Sequence, residues 1–107
     1  MELTKEKADE AFTAIEVAKA TGKIKKGVNE VTKVLERGTA KFVAIAADAN
    51  PKEITLHLPV IGKEKDIPVV IVPSKEELGA AAGLAVSTVA VAIVETGDAD
   101  IKTVTAE

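Results

Sequence analysis

Apolar and polar positions along the chain predict helices and buried strands that follow one another in turn. Over residues 3–20, apolar residues recur every three or four positions, the spacing of a helix with one buried face. A second helical pattern covers about 28–37 and ends at Gly38, and a third covers about 51–65. Pro59 falls inside the third pattern, and we expect a kink or break there because proline lacks the N–H that a helix interior needs.

Three apolar runs without helical spacing predict buried strands, at residues 41–47, 67–72 and 86–94. Between the second and third runs, Ser74 followed by Glu77 forms the capping-box pattern that starts a helix. Helices therefore alternate with buried strands. The expected fold is α/β, a three-layer α-β-α sandwich with a small mixed four-stranded sheet.

The composition is typical of one globular domain formed by all 107 residues. Apolar residues make up 47% and charged residues 29%, which suits a folded core rather than disorder. The chain has no cysteine, and we expect no metal, no cofactor and no cysteine nucleophile. No apolar run reaches the roughly 18–20 residues of a membrane span, so we expect a cytoplasmic protein without a membrane partner.

Positive charge is concentrated in one segment of an acidic chain. Residues 23–41 contain six basic and two acidic residues and carry +4, whereas the remaining residues, with 8 basic and 15 acidic, carry −7. A positive patch on an acidic protein indicates a phosphate-bearing partner. Gly27, at the start of the second predicted helix, would let the backbone and its free N–H groups approach a phosphate closely.

Several motifs within residues 20–98, in order and without large gaps, resemble the kink-turn RNA-binding family. Its members include the archaeal large-subunit ribosomal protein of the L-seven-Ae type and the core protein of box C/D particles. The matching segments are Gly27–Lys33, Glu36–Gly38, Ile45–Ile54, His57–Pro59, Ile67–Pro68, Val72–Lys75, Leu78–Gly83 and Val91–Ile93. The resemblance implies a non-enzymatic protein that binds bent RNA and nucleates ribonucleoprotein particles, in the large ribosomal subunit and in box C/D and H/ACA guide particles. It implies no DNA partner.

The resemblance assigns roles to the second helix and to the residues around it. Asn29, Glu30 and Lys33 would read the edges of tandem sheared G·A pairs, because carboxylate and amide oxygens accept guanine N–H groups. The backbone of the RNA would be contacted by the cations Lys26, Arg37 and Lys75.

The same resemblance places an apolar surface against the flipped bulge base of the kink-turn. It is formed by the loop 83–89, with Leu84, Ala85 and Val86, and by Ile54. Val28 stands where the family usually has a small or hydroxylated residue, and it would weaken binding if it crowded the phosphate.

Each of these positions also has a purely structural interpretation. Asn29 could cap the second helix and Glu30 could favour its dipole, while Leu84 and Val86 fit a core pattern. His57, the only histidine, has no cysteine or second histidine with which to form a metal site.

The restricted set of amino-acid types in the chain supports a second interpretation of its function. Cys, Gln, Trp and Tyr are absent, and Met, His and Arg occur once each. The alternative is therefore a redesigned or simplified scaffold that keeps the fold and binds RNA weakly or not at all.

Overall fold

The computed structural model describes residues 5–48 and 56–99, which form four helices and four strands. The helices are α1 (Lys5–Thr21), α2 (Val28–Glu36), α3 (His57–Lys65) and α4 (Lys75–Ala81). The strands are β1 (Lys23–Lys26), β2 (Phe42–Ala46), β3 (Val69–Val72) and β4 (Ala90–Glu95). No helix within the described residues is long and apolar enough to cross a membrane.

The four strands form one mixed sheet in the order β1-β4-β2-β3. β4 lies antiparallel to both of its neighbours, and β2 pairs in parallel with β3. One apolar cluster joins α1 and α4 to one face of the sheet, and a second joins α2 and α3 to the other face. The predicted three-layer α-β-α sandwich on a mixed four-stranded sheet is therefore confirmed.

Two strand predictions differ from the structure. β1 was not predicted, because its sequence Lys-Ile-Lys-Lys lacks the apolar run that indicates a buried strand. A single apolar residue is enough for an edge strand whose polar side chains face water. The strand predicted from residue 86 begins only at Ala90, because the apolar residues before it belong to a loop. Apolar character alone does not separate a buried strand from a packed loop.

The break expected at Pro59 is absent from α3. The described helix begins at His57, so Pro59 occupies its third position. The first four N–H groups of a helix have no partner within it, and a proline there removes no hydrogen bond. The part of this prediction that covers residues 51–55 lies outside the described residues.

Helices α2, α3 and α4 end in the same backbone motif with different residues. Gly38 and Gly83 adopt φ values of 74° and 79° after α2 and α4, whereas Asp66 holds φ 59° after α3. In each case the positive φ lets two successive N–H groups bond carbonyls of the last turn, as when Ile67 N–H donates to Gly62 O at 2.8 Å. Asp66 therefore carries a backbone strain that glycine would not.

We expect Asp66→Gly to raise the free energy of unfolding by about 0.5–1 kcal/mol, because relief of left-handed strain outweighs the added entropy of the unfolded chain. Urea denaturation followed by circular dichroism measures the change. Gly38→Ala is the matched control. A Cβ at Gly38 would meet nothing within 4 Å, so only strain is introduced and stability should fall. A loss of stability in Asp66→Gly would contradict the interpretation that the backbone of Asp66 is strained.

Candidate nucleic-acid interface

The N-terminus of α2 is an open backbone surface that begins at a glycine. Gly27 is the N-cap residue, with φ 93° and ψ 149°, and a Cβ placed there would meet nothing within 4 Å. The first intrahelical bond runs from Val31 N–H to Gly27 O at 3.0 Å. The N–H groups of Val28, Asn29 and Glu30 consequently have no partner within the helix. Three free donors at a helix N-terminus suit a bound phosphate.

Asn29, Glu30 and Lys33 are all exposed on α2. Lys33 Nζ lies 3.6 Å from Glu30 Oε1, and both side chains are at least half exposed, so the pair contributes little stability. The side-chain amide of Asn29 forms no hydrogen bond with any described residue. Since Gly27 is the N-cap, the interpretation of Asn29 as the cap is wrong. The amide remains available to a ligand.

Val28 does not crowd this surface. Its side chain is half-buried and packs against the cluster beneath α2. Its carbonyl accepts a hydrogen bond from Thr32 Oγ1 at 2.7 Å. A phosphate could approach the helix N-terminus without meeting the branched side chain.

Hydrogen bonds bring the loop before β4 next to the start of α2. Gly27 N–H donates to Ala90 O at 2.9 Å, and Ala46 N–H donates to Val89 O at 2.9 Å. Thr88 N–H donates to Lys75 O at 3.2 Å, which links the same loop to α4. The predicted sites on α2, on α4 and in the loop therefore meet at one end of the sheet.

Lys75 is held at the first position of α4 by two caps. Ser74 Oγ accepts the N–H of Glu77 at 3.3 Å, as the capping pattern predicted. Asp48 Oδ1 accepts the N–H of Lys75 itself at 2.8 Å. The sequence alone does not indicate this second cap, because Asp48 and Lys75 are 27 positions apart.

The three loop residues predicted to contact RNA differ in exposure. Val86 is 70% exposed and Ala85 is also exposed. Leu84 is half-buried and packs against the cluster of α1 and α4, so it anchors the loop to the core. The core interpretation therefore does not fit Val86. Ile54 lies outside the described residues.

The predicted cations are spread over the length of α2. Lys26 is exposed at the end of β1, immediately before Gly27. Arg37 follows the last helical residue and lies roughly 15 Å from Gly27 at 1.5 Å per residue. The structure therefore separates Arg37 from the loop and places it at the opposite end of the sheet.

The arrangement offers hydrogen-bond donors, acceptors and cations. Among the described residues no three His, Asp or Glu side chains come together as metal ligands. His57 Nε2 instead lies 2.9 Å from Thr32 Oγ1 and joins α3 to α2. The surface combines a helix N-terminus, an exposed helix face and a loop, and its groups have the chemistry that suits a polyanion.

Comparison with known proteins identifies the family. A model of the ribosomal protein L7Ae/L30e/S12e/Gadd45 family matches residues 9–103, and the chain belongs to this family. It is 50% identical over 93 residues to the large ribosomal subunit protein eL8 of Haloquadratum walsbyi, covering 87% of this chain and 78% of that protein. Its structure matches the 15.5kD RNA binding protein of Giardia lamblia with a TM-score of 0.84 and 37% identity, over 95% of this chain and 83% of that one.

Proposed function

We propose that the protein recognises kink-turn RNA. One observation carries the proposal: the Gly27–Ala90 hydrogen bond holds the open N-terminus of α2 beside the exposed loop that contains Val86. A sharply bent RNA presents a phosphate, base-pair edges and an unstacked base close together. The combined surface offers a matching group for each of them. The family membership and the RNA-binding relative support the same conclusion.

Each part of the surface has a chemical task in this function. The free N–H groups of α2 would hold a phosphate next to Gly27, where no side chain intervenes. Glu30 would accept guanine N–H donors of the sheared G·A pairs, and the amide of Asn29 would both donate and accept. Val86 would pack against the flipped base.

The biological consequence would be assembly of a ribonucleoprotein. By binding only the bent form, the protein would stabilise it, and other proteins could then dock on the complex. The large ribosomal subunit and the box C/D and H/ACA guide particles are the proposed settings, the first supported by the similarity to protein eL8. The function needs no cofactor and no enzymatic step.

A binding titration tests the proposal directly. The protein is titrated against a kink-turn RNA and against the same RNA with its G·A pairs replaced by Watson–Crick pairs, at one salt concentration. We expect clear preference for the kink-turn. Equal affinities would refute kink-turn recognition. No detectable binding by a sample with a normal circular dichroism spectrum would instead support the scaffold interpretation.

Lys26→Ala should weaken binding to both RNAs alike. Lys26 is an exposed cation beside the proposed phosphate site, and a phosphate contact carries no sequence information. Its loss should reduce the slope of log affinity against log salt by about 0.7–0.9. Lys63→Ala, an equal charge change on α3, is the control and should leave the slope unchanged. A selective loss of kink-turn binding would contradict a backbone role for Lys26.

A further inference from the structure

Four cations lie at the margin of α2, and only Arg37 among them has a role implied by the family resemblance. They are Lys23, Lys25, Arg37 and Lys41, named here the basic track. All four are exposed, and none forms an ion pair within 4.0 Å with any described residue. Two of them belong to the edge strand β1, one follows α2 and one precedes β2.

The register of the sheet places two lysines of the basic track, Lys25 and Lys41, on one face. Lys25 pairs with Ala92, whose side chain belongs to the cluster beneath α2, so Lys25 lies on the α2 side of the sheet. Lys23 pairs with Glu95 beyond a register irregularity between Lys23 and Ile24, so it lies on the edge strand but its side is not set by that of Lys25. Lys41 is two residues before Val43, which also belongs to that cluster.

Arg37 faces the same margin from α2. Thr32 contacts His57 of α3, so the side of α2 that carries Thr32 faces α3. Five positions further, Arg37 is rotated by about 140° and lies on the side away from α3, towards β1. Glu36, four positions after Thr32, stays on the α3 side.

Negative charge is sparse along the basic track. Glu95 stands opposite Lys23 across the β1–β4 pair and offsets one of the four cations. Glu30 lies on α2 near Gly27, at the other end of the track, where it pairs with Lys33. Lysines on an edge strand also discourage pairing with other chains, but this does not account for Arg37 and Lys41, which are not on that strand.

We propose that the basic track binds the phosphate backbone of one duplex stem that leaves the kink. This inference rests on the proposed function and extends its RNA contact beyond the bend. The track starts beside Lys26, at the helix N-terminus, and continues to the opposite end of the sheet. At 1.5 Å per residue, α2 and Arg37 span on the order of 13–15 Å, the length of about four base pairs.

Paired charge substitutions test the inference on the whole chain. The variant Lys25→Gln/Lys41→Gln is compared with Lys63→Gln/Lys65→Gln, which removes the same charge from the last turn of α3. Affinity is measured over a salt series for a kink-turn RNA with long stems and for one whose stems are each shortened by four base pairs. A third variant, Lys25→Arg/Lys41→Arg, keeps the charge.

For the long-stem RNA, Lys25→Gln/Lys41→Gln should bind about ten-fold more weakly near 0.1 M salt, with a slope reduced by about 1.4–1.8. The α3 control and the arginine variant should remain within two-fold of the unsubstituted protein. With shortened stems the deficit should vanish.

Two results would overturn the proposal that the basic track binds a stem. One is an equal slope of log affinity against log salt for the two glutamine variants, and the other is an undiminished affinity deficit of Lys25→Gln/Lys41→Gln with shortened stems. Both leave kink-turn recognition standing, because each variant would still prefer the RNA with G·A pairs. If the unsubstituted protein bound both RNAs equally, the proposed function would fail and this inference with it.

Discussion

Glu30→Ala should reduce the preference for kink-turn RNA over its Watson–Crick counterpart by about ten-fold to a hundred-fold, the 1–3 kcal/mol that a good base-edge contact contributes. The carboxylate is half exposed and lies 3.6 Å from the ammonium group of Lys33 on the same helix, so it is open to a ligand. Only a guanine edge with free N–H donors would gain a hydrogen bond from the Glu30 carboxylate. The loss of affinity should therefore be confined to the kink-turn RNA. Competition between the two RNAs for the variant measures the ratio directly.

Glu36→Ala provides the matched control for this prediction. Glu36 is exposed on the same helix, and its replacement changes the net charge equally. Removing either carboxylate should raise non-specific affinity slightly, because repulsion from phosphate is reduced. Only Glu30→Ala should lose discrimination. A similar loss in both variants would show that Glu30 acts through the overall charge.

The parts of the fold that the sequence predicts are those with dense local signals. The inward face of α2 is set by Val31, Val34 and Leu35, which are buried as their spacing predicts. The cap at Ser74 depends on residues three positions apart. β1 has no such signal, because an edge strand is specified by its partner β4 rather than by its own residues.

The candidate site shows a corresponding division. The exposed positions on α2 follow from helical spacing around a buried face, so Asn29 and Lys33 could be placed from the sequence. The position of the loop could not, because contacts distant in sequence fix it. Asp48 caps α4 from 27 residues away, and Gly27 bonds Ala90 from 63 residues away. The exposure of Val86 follows from these contacts rather than from its neighbours in the chain.

The position of this loop also depends on the absence of a side chain at Gly79. A Cβ at Gly79 would lie 2.3 Å from Val86 O and 3.0 Å from Ser87 Cα. Both are backbone atoms, so no side-chain rotation can relieve the contact. The loop would have to move away from α4, and the hydrogen bond from Thr88 N–H to Lys75 O would be lost.

We expect Gly79→Val to lower the free energy of unfolding by about 2–3 kcal/mol, the cost of overpacking against atoms that cannot rotate away. Far-ultraviolet circular dichroism in urea measures it, since the chain has no Trp or Tyr to report by fluorescence. Ala80→Val is the control. Ala80 is exposed on the same helix, so its replacement should cost only about 0.5 kcal/mol of helix propensity.

The same pair of variants distinguishes the contribution of the loop to RNA binding from that of the rest of the proposed interface. Under conditions where both variants are folded, Gly79→Val should bind kink-turn RNA more weakly than Ala80→Val, because Val86 is displaced from the N-terminus of α2. Its salt dependence should be unchanged, since no cation has been removed. Equal RNA affinities for the two variants would show that the loop does not contribute to recognition. The helix surface around Gly27 would then carry the binding alone.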